Sequence, residues 1–250
     1  MFSSDIIQNI VSFTSNLNLR LVSKAFAEYK YYVGHTFKSM TRFIKVIKVF
    51  NIYTFSINGR NIKLSNKFNT IDKFLTFISK KLINCKIFQC RFVELVSSNI
   101  PKNCVKLMIT SGTANIDDLP KNCESIFFAC VEIKQINDLI NIKKLKFSNV
   151  RMSHNMPMSL PNCTFFYIHC SNILYLPLYL PKCKEFYVNF PYYYEMNIKL
   201  PILMPKCEKV YIYGSGIIEM PDIPNCKYIS ITNNVIPFVL AKDCIIEYVN

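Results

Sequence analysis

The sequence predicts an α/β repeat solenoid, in which each turn of the chain, here called a coil, adds one strand to a parallel sheet. Three observations support this: regularly spaced cysteines, a proline before most of them, and apolar residues at fixed positions after them. Successive gaps are 19, 19, 40, 20, 24, 19 and 18 residues, for cysteines at positions 85, 104, 123, 163, 183, 207, 226 and 244. Ile142 fills the missing place in the gap of 40. A period of about 20 residues is typical of repeat architectures.

One strand is predicted in each coil. With the cysteine, or Ile142, as position 0 of its coil, positions +3 and +5 are apolar in the coils of Cys104 to Cys226, whereas the last repeat has Glu247 at +3. These pairs are Leu107 and Ile109, Ile126 and Phe128, Leu145 and Phe147, Phe166 and Ile168, Phe186 and Val188, Val210 and Ile212, and Ile229 and Ile231. Apolar residues two apart mark a strand with one buried face. The preceding proline fits this pattern, because proline can begin a strand but cannot lie in its middle.

Position +4 lies between the two inward positions and is therefore predicted to point outward. In six successive coils it holds Met108, Phe127, Lys146, Tyr167, Tyr187 and Tyr211. Exposed aromatic residues are typical of protein-binding hot spots. They also stabilise sheets as cross-strand pairs, and that interpretation stays open. We expect this column to bind a partner.

The phrase Cys-x-x-Leu-x-Ile resembles the core of the leucine-rich repeat, and the segment 173–177, Ile-Leu-Tyr-Leu-Pro, resembles the return half of its short, proline-bearing form. The resemblance covers about residues 83–250 and implies a curved parallel sheet with the partner on its concave face. Position +8 holds asparagine in that family. In this chain only Asn234 conforms, and the other coils have Gly112, Val131, Val150, Ser171, Pro191 and Ser215 there.

The cysteines are predicted to be free, buried thiols. Eleven is an odd number, and the start of the chain resembles no secretory leader, so we expect a reducing, cytoplasmic compartment. Zinc ligands would favour C-x-x-C pairs, which the sequence lacks. His35, His154 and His169 share no catalytic motif. We therefore expect no enzyme activity, no metal and no cofactor.

The first forty residues are predicted to form a separate helical module. The segments 4–13 and 17–29 have apolar residues at helical spacing. They resemble the F-box, with Asp-Ile-Ile at 5–7 and Val-Ser-Lys-x-Phe at 22–26. The resemblance implies that this module binds a Skp-type adaptor through Ile6, Ile7, Ile10, Phe13, Leu19, Val22 and Phe26. An ordinary helical cap on the solenoid is the alternative.

Residues 41–82 are predicted to form a basic region that connects the two modules. Between residues 36 and 92 there are twelve Lys or Arg and one acid, Asp72, giving +11. A hairpin is expected to turn at Asn58-Gly59, followed by a helix over 70–82. The lysines are mostly scattered singly, so the sequence does not favour nucleic-acid binding, which needs clustered charge.

Together the modules resemble repeat proteins of large DNA viruses and protists. An F-box followed by repeats implies a non-catalytic substrate receptor of a cullin–RING, SCF-type ubiquitin ligase, with an unknown protein target on the repeats. The alternatives are a leucine-rich-repeat scaffold without a ligase role and a basic nucleic-acid-binding protein. No apolar run approaches the roughly 18 residues of a membrane span, so no membrane partner is expected.

Overall fold

A computed structural model of the 250-residue chain gives the fold. It describes residues 44–49, 52–58, 75–76, 79–80, 85–137, 139–152, 154–173, 175–190, 200–214, 221–232 and 241–249, with backbone alone in the first two ranges. The predicted F-box-like module, residues 1–40, lies outside the described residues.

One mixed sheet, parallel from β2 onward, runs through the described coils. Its strands are β1 Ile44–Val49, β2 Ile52–Asn58, β3 Cys85–Val96, β4 Lys106–Ile116, β5 Ser125–Ile136, β6 Lys144–Ser148, β7 Arg151–Met152, β8 Phe165–His169, β9 Glu185–Asn189, β10 Lys209–Tyr213, β11 Tyr228–Thr232 and β12 Ile245–Val249. Neighbours follow chain order, except that β6 pairs with β8 while β7 pairs with β5. The predicted repeat solenoid with a parallel sheet is confirmed.

The amino-terminal edge of the sheet differs from the prediction. Strands β1 and β2 are antiparallel, and Val49 pairs with Ile52, so the chain reverses between them. The expected hairpin with its turn at Asn58-Gly59 is wrong, because both edges of β2 are already paired, one with β1 and the other with β3. In the predicted helix over 70–82, the four described residues, 75, 76, 79 and 80, are helical.

Inward side chains of the sheet fill the space enclosed by the coils. The strand register places residues at the same repeat position of successive coils next to each other. Phe166 of β8 therefore lies next to Phe186 of β9. Their rings stack 5.5 Å apart, and both are fully buried. Ile142, at the place of a missing cysteine, is also buried. The predicted inward positions +3 and +5 are confirmed in these coils.

The cysteines at position 0 form a buried column beside the sheet. They are free thiols, and each is buried except Cys244, which is half-buried. The thiol donates a hydrogen bond to a carbonyl two residues on, as from Cys104 Sγ to the oxygen of Lys106 at 3.2 Å. Burial raises the pKa of Cys163 to about 12. The prediction of free, buried thiols is confirmed for the cysteines of this column from Cys85 to Cys226.

The chain bends at position +7 of these coils. The strand segment before this bend, or corner, is called the first face of the sheet. Ser111, Cys130, Asn149 and Cys170 adopt φ values of 57, 54, 51 and 45°, the left-handed region. In β4 and β5 the strand continues past this corner, so position +8 pairs with the next coil. Position +8 is therefore inward, and Val131 is buried there. In these two coils a second strand face therefore stands where the leucine-rich repeat has its asparagine turn.

The return half of each coil contains turns. Among the described residues from Cys85 onward, helix is limited to one 3-10 turn, Ser97–Asn99. The carbonyl of Pro101 accepts a bond from the N–H of Cys104 at 2.9 Å, closing the turn that leads into β4. Part of the return half forms single bridges, as between Tyr179 and Leu203. The predicted α/β class is not found here, because these coils form a β-solenoid.

The last described coil shifts register by one residue. Glu247 is at position +3 after Cys244, where the repeat pattern places an inward residue. The sheet instead pairs Ile246 with Ile229 and Glu247 with Ser230. The shift leaves the apolar residue inward and turns the carboxylate outward, where it accepts a hydrogen bond from the Tyr228 hydroxyl. Avoiding a buried unpaired carboxylate explains the change.

Candidate partner-binding face

The outward side of positions +2, +4 and +6 on β3–β11 is called the binding face. The six residues predicted at position +4 lie side by side in one column: Met108, Phe127, Lys146, Tyr167, Tyr187 and Tyr211. None of them is buried, whereas the residues on either side of each one in the chain are fully buried.

Three tyrosines of this column, Tyr167, Tyr187 and Tyr211, form a tyrosine ladder. The rings of Tyr167 and Tyr187 stack with centroids 4.4 Å apart and planes 12° apart. Tyr187 and Tyr211 are 5.9 Å apart and tilted by 42°. Because much of each ring face lies against a neighbour, the ladder presents mainly ring edges and hydroxyl groups to solvent. Ring edges carry the positive part of the aromatic quadrupole.

The phenol groups of the ladder can donate and accept hydrogen bonds. Burial and the neighbouring Tyr187 raise the pKa of Tyr167 above its usual range. A phenol with an ordinary pKa near 10 is already protonated at pH 7, and the shift strengthens this state. A row of phenol hydroxyls along the solenoid axis therefore suits a partner rich in acceptor groups.

Further aromatic residues flank the ladder at positions +2 and +6, and the sequence analysis did not select them. Phe165 stacks with Tyr167 at 6.4 Å, and Tyr213 meets Tyr187 edge-on at 5.7 Å. The Tyr213 hydroxyl donates to Ser230 Oγ at 2.9 Å, and Ser230 is buried although it lies at an outward position. Extending the outward period from +4 to +2 and +6 would have found these rings.

The opposite end of the binding face is cationic, and Lys106, Lys144 and Lys146 are called the lysine end. All three are exposed on β4 and β6, and none forms an ion pair with a described residue. The Lys146 ammonium lies 4.7 Å from the centre of the Phe165 ring and 5.7 Å from that of Tyr167. It therefore joins the two ends through cation–π contacts.

Acidic side chains beside the tyrosine ladder are neutralised by lysines. Glu185 pairs with Lys209 at 3.7 Å, and Glu208 pairs with Lys227 at 3.0 Å. The hydrogen bond from Lys227 holds the pKa of the Glu208 carboxyl below its usual range. These exposed pairs contribute little stability, but they leave the tyrosine end close to neutral.

The nearest approach to a catalytic pair in the described region is His169 with Cys170. The distance from Cys170 Sγ to His169 Nε2 is 3.4 Å. Nδ1 of His169 is buried and has no hydrogen-bond partner among the described residues. No described carboxylate therefore orients the imidazole, as a third group does in nucleophilic triads. The described residues also contain no cluster of three or more His, Cys, Asp or Glu suited to a metal ion.

Comparison with known proteins gives no significant match to a family model, a curated protein or a solved structure. Among the described residues, no helix has the length and hydropathy needed to cross a membrane. The predicted adaptor-binding residues lie outside the described part of the chain, namely Ile6, Ile7, Ile10, Phe13, Leu19, Val22 and Phe26. The site that can be built from the described residues is the binding face.

Proposed function

We propose that this protein is a non-catalytic interaction scaffold that binds a partner protein on the binding face. The observation that carries the proposal is the tyrosine ladder, which stays accessible on strands whose inward residues are fully buried. Cross-strand pairs contribute roughly 0.2–1 kcal/mol each, whereas a tyrosine that is a binding hot spot contributes about 2 kcal/mol or more. A column of partly exposed aromatic rings is therefore better suited to binding than to stability.

A protein partner fits the ladder better than single-stranded nucleic acid does. Nucleobases bind by stacking on free aromatic faces. Tyr167 and Tyr187 already stack face to face, so their faces are largely occupied. The hydroxyls and ring edges that remain suit the backbone carbonyls and carboxylates of a polypeptide.

The leucine-rich-repeat relationship is part of the proposal. One strand per coil, the apolar positions +3 and +5, and a parallel sheet support it, since leucine-rich repeats place their partners on such a sheet. The second strand face after position +7 is the feature in which this solenoid departs from the expected pattern.

A role as substrate receptor of a cytoplasmic cullin–RING ubiquitin ligase is the more specific form of the proposal. It is supported by the F-box resemblance of residues 1–40, with Asp5-Ile6-Ile7 and Val22-Ser23-Lys24 as the matching motifs. The test changes Ile7 and Val22 to Asp and measures Skp-type adaptor binding and melting temperature together. Lost binding at an unchanged melting temperature supports the receptor role. A wild-type chain that does not bind the adaptor contradicts it.

The scaffold function itself is tested by proteins captured from the host cell on three forms of the full chain. One form is wild type, one carries Tyr167→Ala and Tyr187→Ala, and the matched control carries Tyr175→Ala and Tyr179→Ala. The control tyrosines are exposed on the return half, away from the binding face. We expect a partner retained by the wild type and the control and lost by the ladder variant. Equal retention by all three forms would contradict the proposal.

A further inference from the structure

We infer that the partner segment bound on this face is an extended, acidic stretch of polypeptide, with its carboxylates over the lysine end. The inference rests on the proposed function, because it names the chemistry of the partner at the same face. It follows from the uneven distribution of charge along the solenoid axis.

The lysine end has a surplus of positive charge. On the first face of β4–β6 the nearby acid is Glu124, which forms an ion pair with Lys143 at 2.8 Å. Lys106 and Lys144 remain without an acidic partner among the described residues, and both side chains are exposed. Complementary charge on a partner steers association and fixes its register. The unmatched lysines therefore favour carboxylates on the partner.

The tyrosine end has no comparable surplus. Each outward acid described there has a partner, as with Glu185 and Lys209, or Glu208 and Lys227. The phenol groups nevertheless offer hydrogen-bond donors without net charge. A partner segment would thus be most acidic over β4–β6 and would place aromatic, apolar or carbonyl groups over β8–β10. The acidic part of the segment would thus lie at the β4 end of the face.

The dimensions of the face give the length of the segment. The order β4, β5, β6, β8, β9, β10 contains five strand-to-strand steps. At about 4.8 Å a step, the distance is about 24 Å, which about seven extended residues span. Lys146 lies at the middle of this path, with its ammonium over the Phe165 ring. One short segment can therefore contact both ends at once.

The experiment selects binders from a random peptide library displayed on phage, with the full chain as target. Three targets are compared: wild type, Lys106→Glu with Lys144→Glu, and a control with Lys102→Glu and Lys121→Glu. The control lysines are exposed in the turns before β4 and β5, so they give the same change in net charge off the face. Equal melting temperatures of the two variants establish that both are folded.

We expect Asp and Glu to be enriched in peptides selected on the wild type and on the control. A selected acidic peptide should bind the Lys106 and Lys144 variant about tenfold more weakly, and the control within about twofold of wild type. The same peptide should also lose affinity when Tyr167 and Tyr187 become Ala, because it contacts both ends. These three results together support the inference.

The contrary outcomes separate the inference from the proposed function. Peptides that depend on Tyr167 and Tyr187 but show no acidic enrichment would overturn the inference and leave the scaffold function intact. Peptides that bind independently of the tyrosine ladder would overturn both. A single-stranded oligonucleotide that binds more tightly than any selected peptide, and is lost in the Lys106 and Lys144 variant, would replace the acidic polypeptide with nucleic acid.

Discussion

Two aromatic pairs on the same strands, β8 and β9, lie on opposite sides of the sheet. Phe166 and Phe186 stack 5.5 Å apart on the inward side and are fully buried. Tyr167 and Tyr187, the next residues in the chain, stack 4.4 Å apart on the outward side and stay partly exposed. The inward pair fills the core, where packing density is high and little change is tolerated. The outward pair lies outside the core, so packing does not determine which residue types stand there, and they can be suited to binding.

The largest expected effect is on the inward pair. Phe166→Ala leaves a cavity in the core and should lower the free energy of unfolding by about 3–5 kcal/mol. The neighbouring change Tyr167→Ala, on the same strand, should lower it by roughly 0.2–1 kcal/mol. Urea unfolding followed by circular dichroism measures both. Similar losses for the two variants would remove the distinction between the two sides of the sheet.

The corner at position +7, which follows the first face of the sheet, gives the next effect. Gly214 has φ of 124°, and an added Cβ would lie 2.6 Å from the carbonyl oxygen of Phe190. Gly214→Ala should therefore cost about 1–3 kcal/mol, since both the backbone and the neighbouring coil are strained. Cys130→Ala is the control, because Cys130 holds the same repeat position in another coil. It is exposed and already has a side chain at φ of 54°. A Gly214→Ala variant as stable as wild type would contradict the close contact between coils.

The buried thiols should make the inward side sensitive to alkaline pH. Burial raises the pKa of Cys163 to about 12, whereas an unfolded cysteine has a pKa of about 8.5. The contribution of this protonated thiol to the free energy of unfolding is present in full below about pH 8.5, and it is lost as pH rises towards 12. Cys163→Ala should therefore flatten the dependence of unfolding free energy on pH between about 9 and 12. Identical pH profiles for the variant and the wild type would contradict it.

Thiol accessibility gives a smaller but residue-specific contrast. Labelling of the native protein should be slow at four buried cysteines, namely Cys104, Cys123, Cys183 and Cys207. Cys130 is exposed and should react rapidly, so it provides the internal reference. Peptide mapping after timed labelling measures the rates. Fast native labelling of the four would mean that this column is not closed to solvent.

The inward half of the architecture could be predicted from the sequence. Burial acts on every coil, so the cysteine period and the apolar pairs are repeated often enough to be recognised, and Ile142 could be placed despite its different side chain. The left-handed corner before position +8 could not be predicted, because residues such as Ser111 and Cys130 form it and carry no glycine signal. In β4 and β5 the strand continues past the corner. Its backbone groups therefore pair with the next coil, whereas asparagine side chains would bond them in the leucine-rich repeat.

The binding face could be predicted only in part. Position +4 was found because it lies between two inward residues, and register aligns that column across coils. Phe165 and Tyr213 were missed, because their contribution depends on contacts with neighbouring coils rather than on their own repeat pattern. The cation–π position of Lys146 also depends on register, since Phe165 belongs to the next coil.

The central claim is that the tyrosine ladder serves binding and not stability. The most direct test measures both free energies on one variant, Tyr167→Ala with Tyr187→Ala and Tyr211→Ala, using titration calorimetry with a bound partner peptide and urea unfolding. We predict that affinity falls by about a hundredfold or more, while the unfolding free energy falls by no more than about 1 kcal/mol for each tyrosine. Unchanged affinity together with a large loss of stability would show that the ladder is a packing feature, and would contradict the claim.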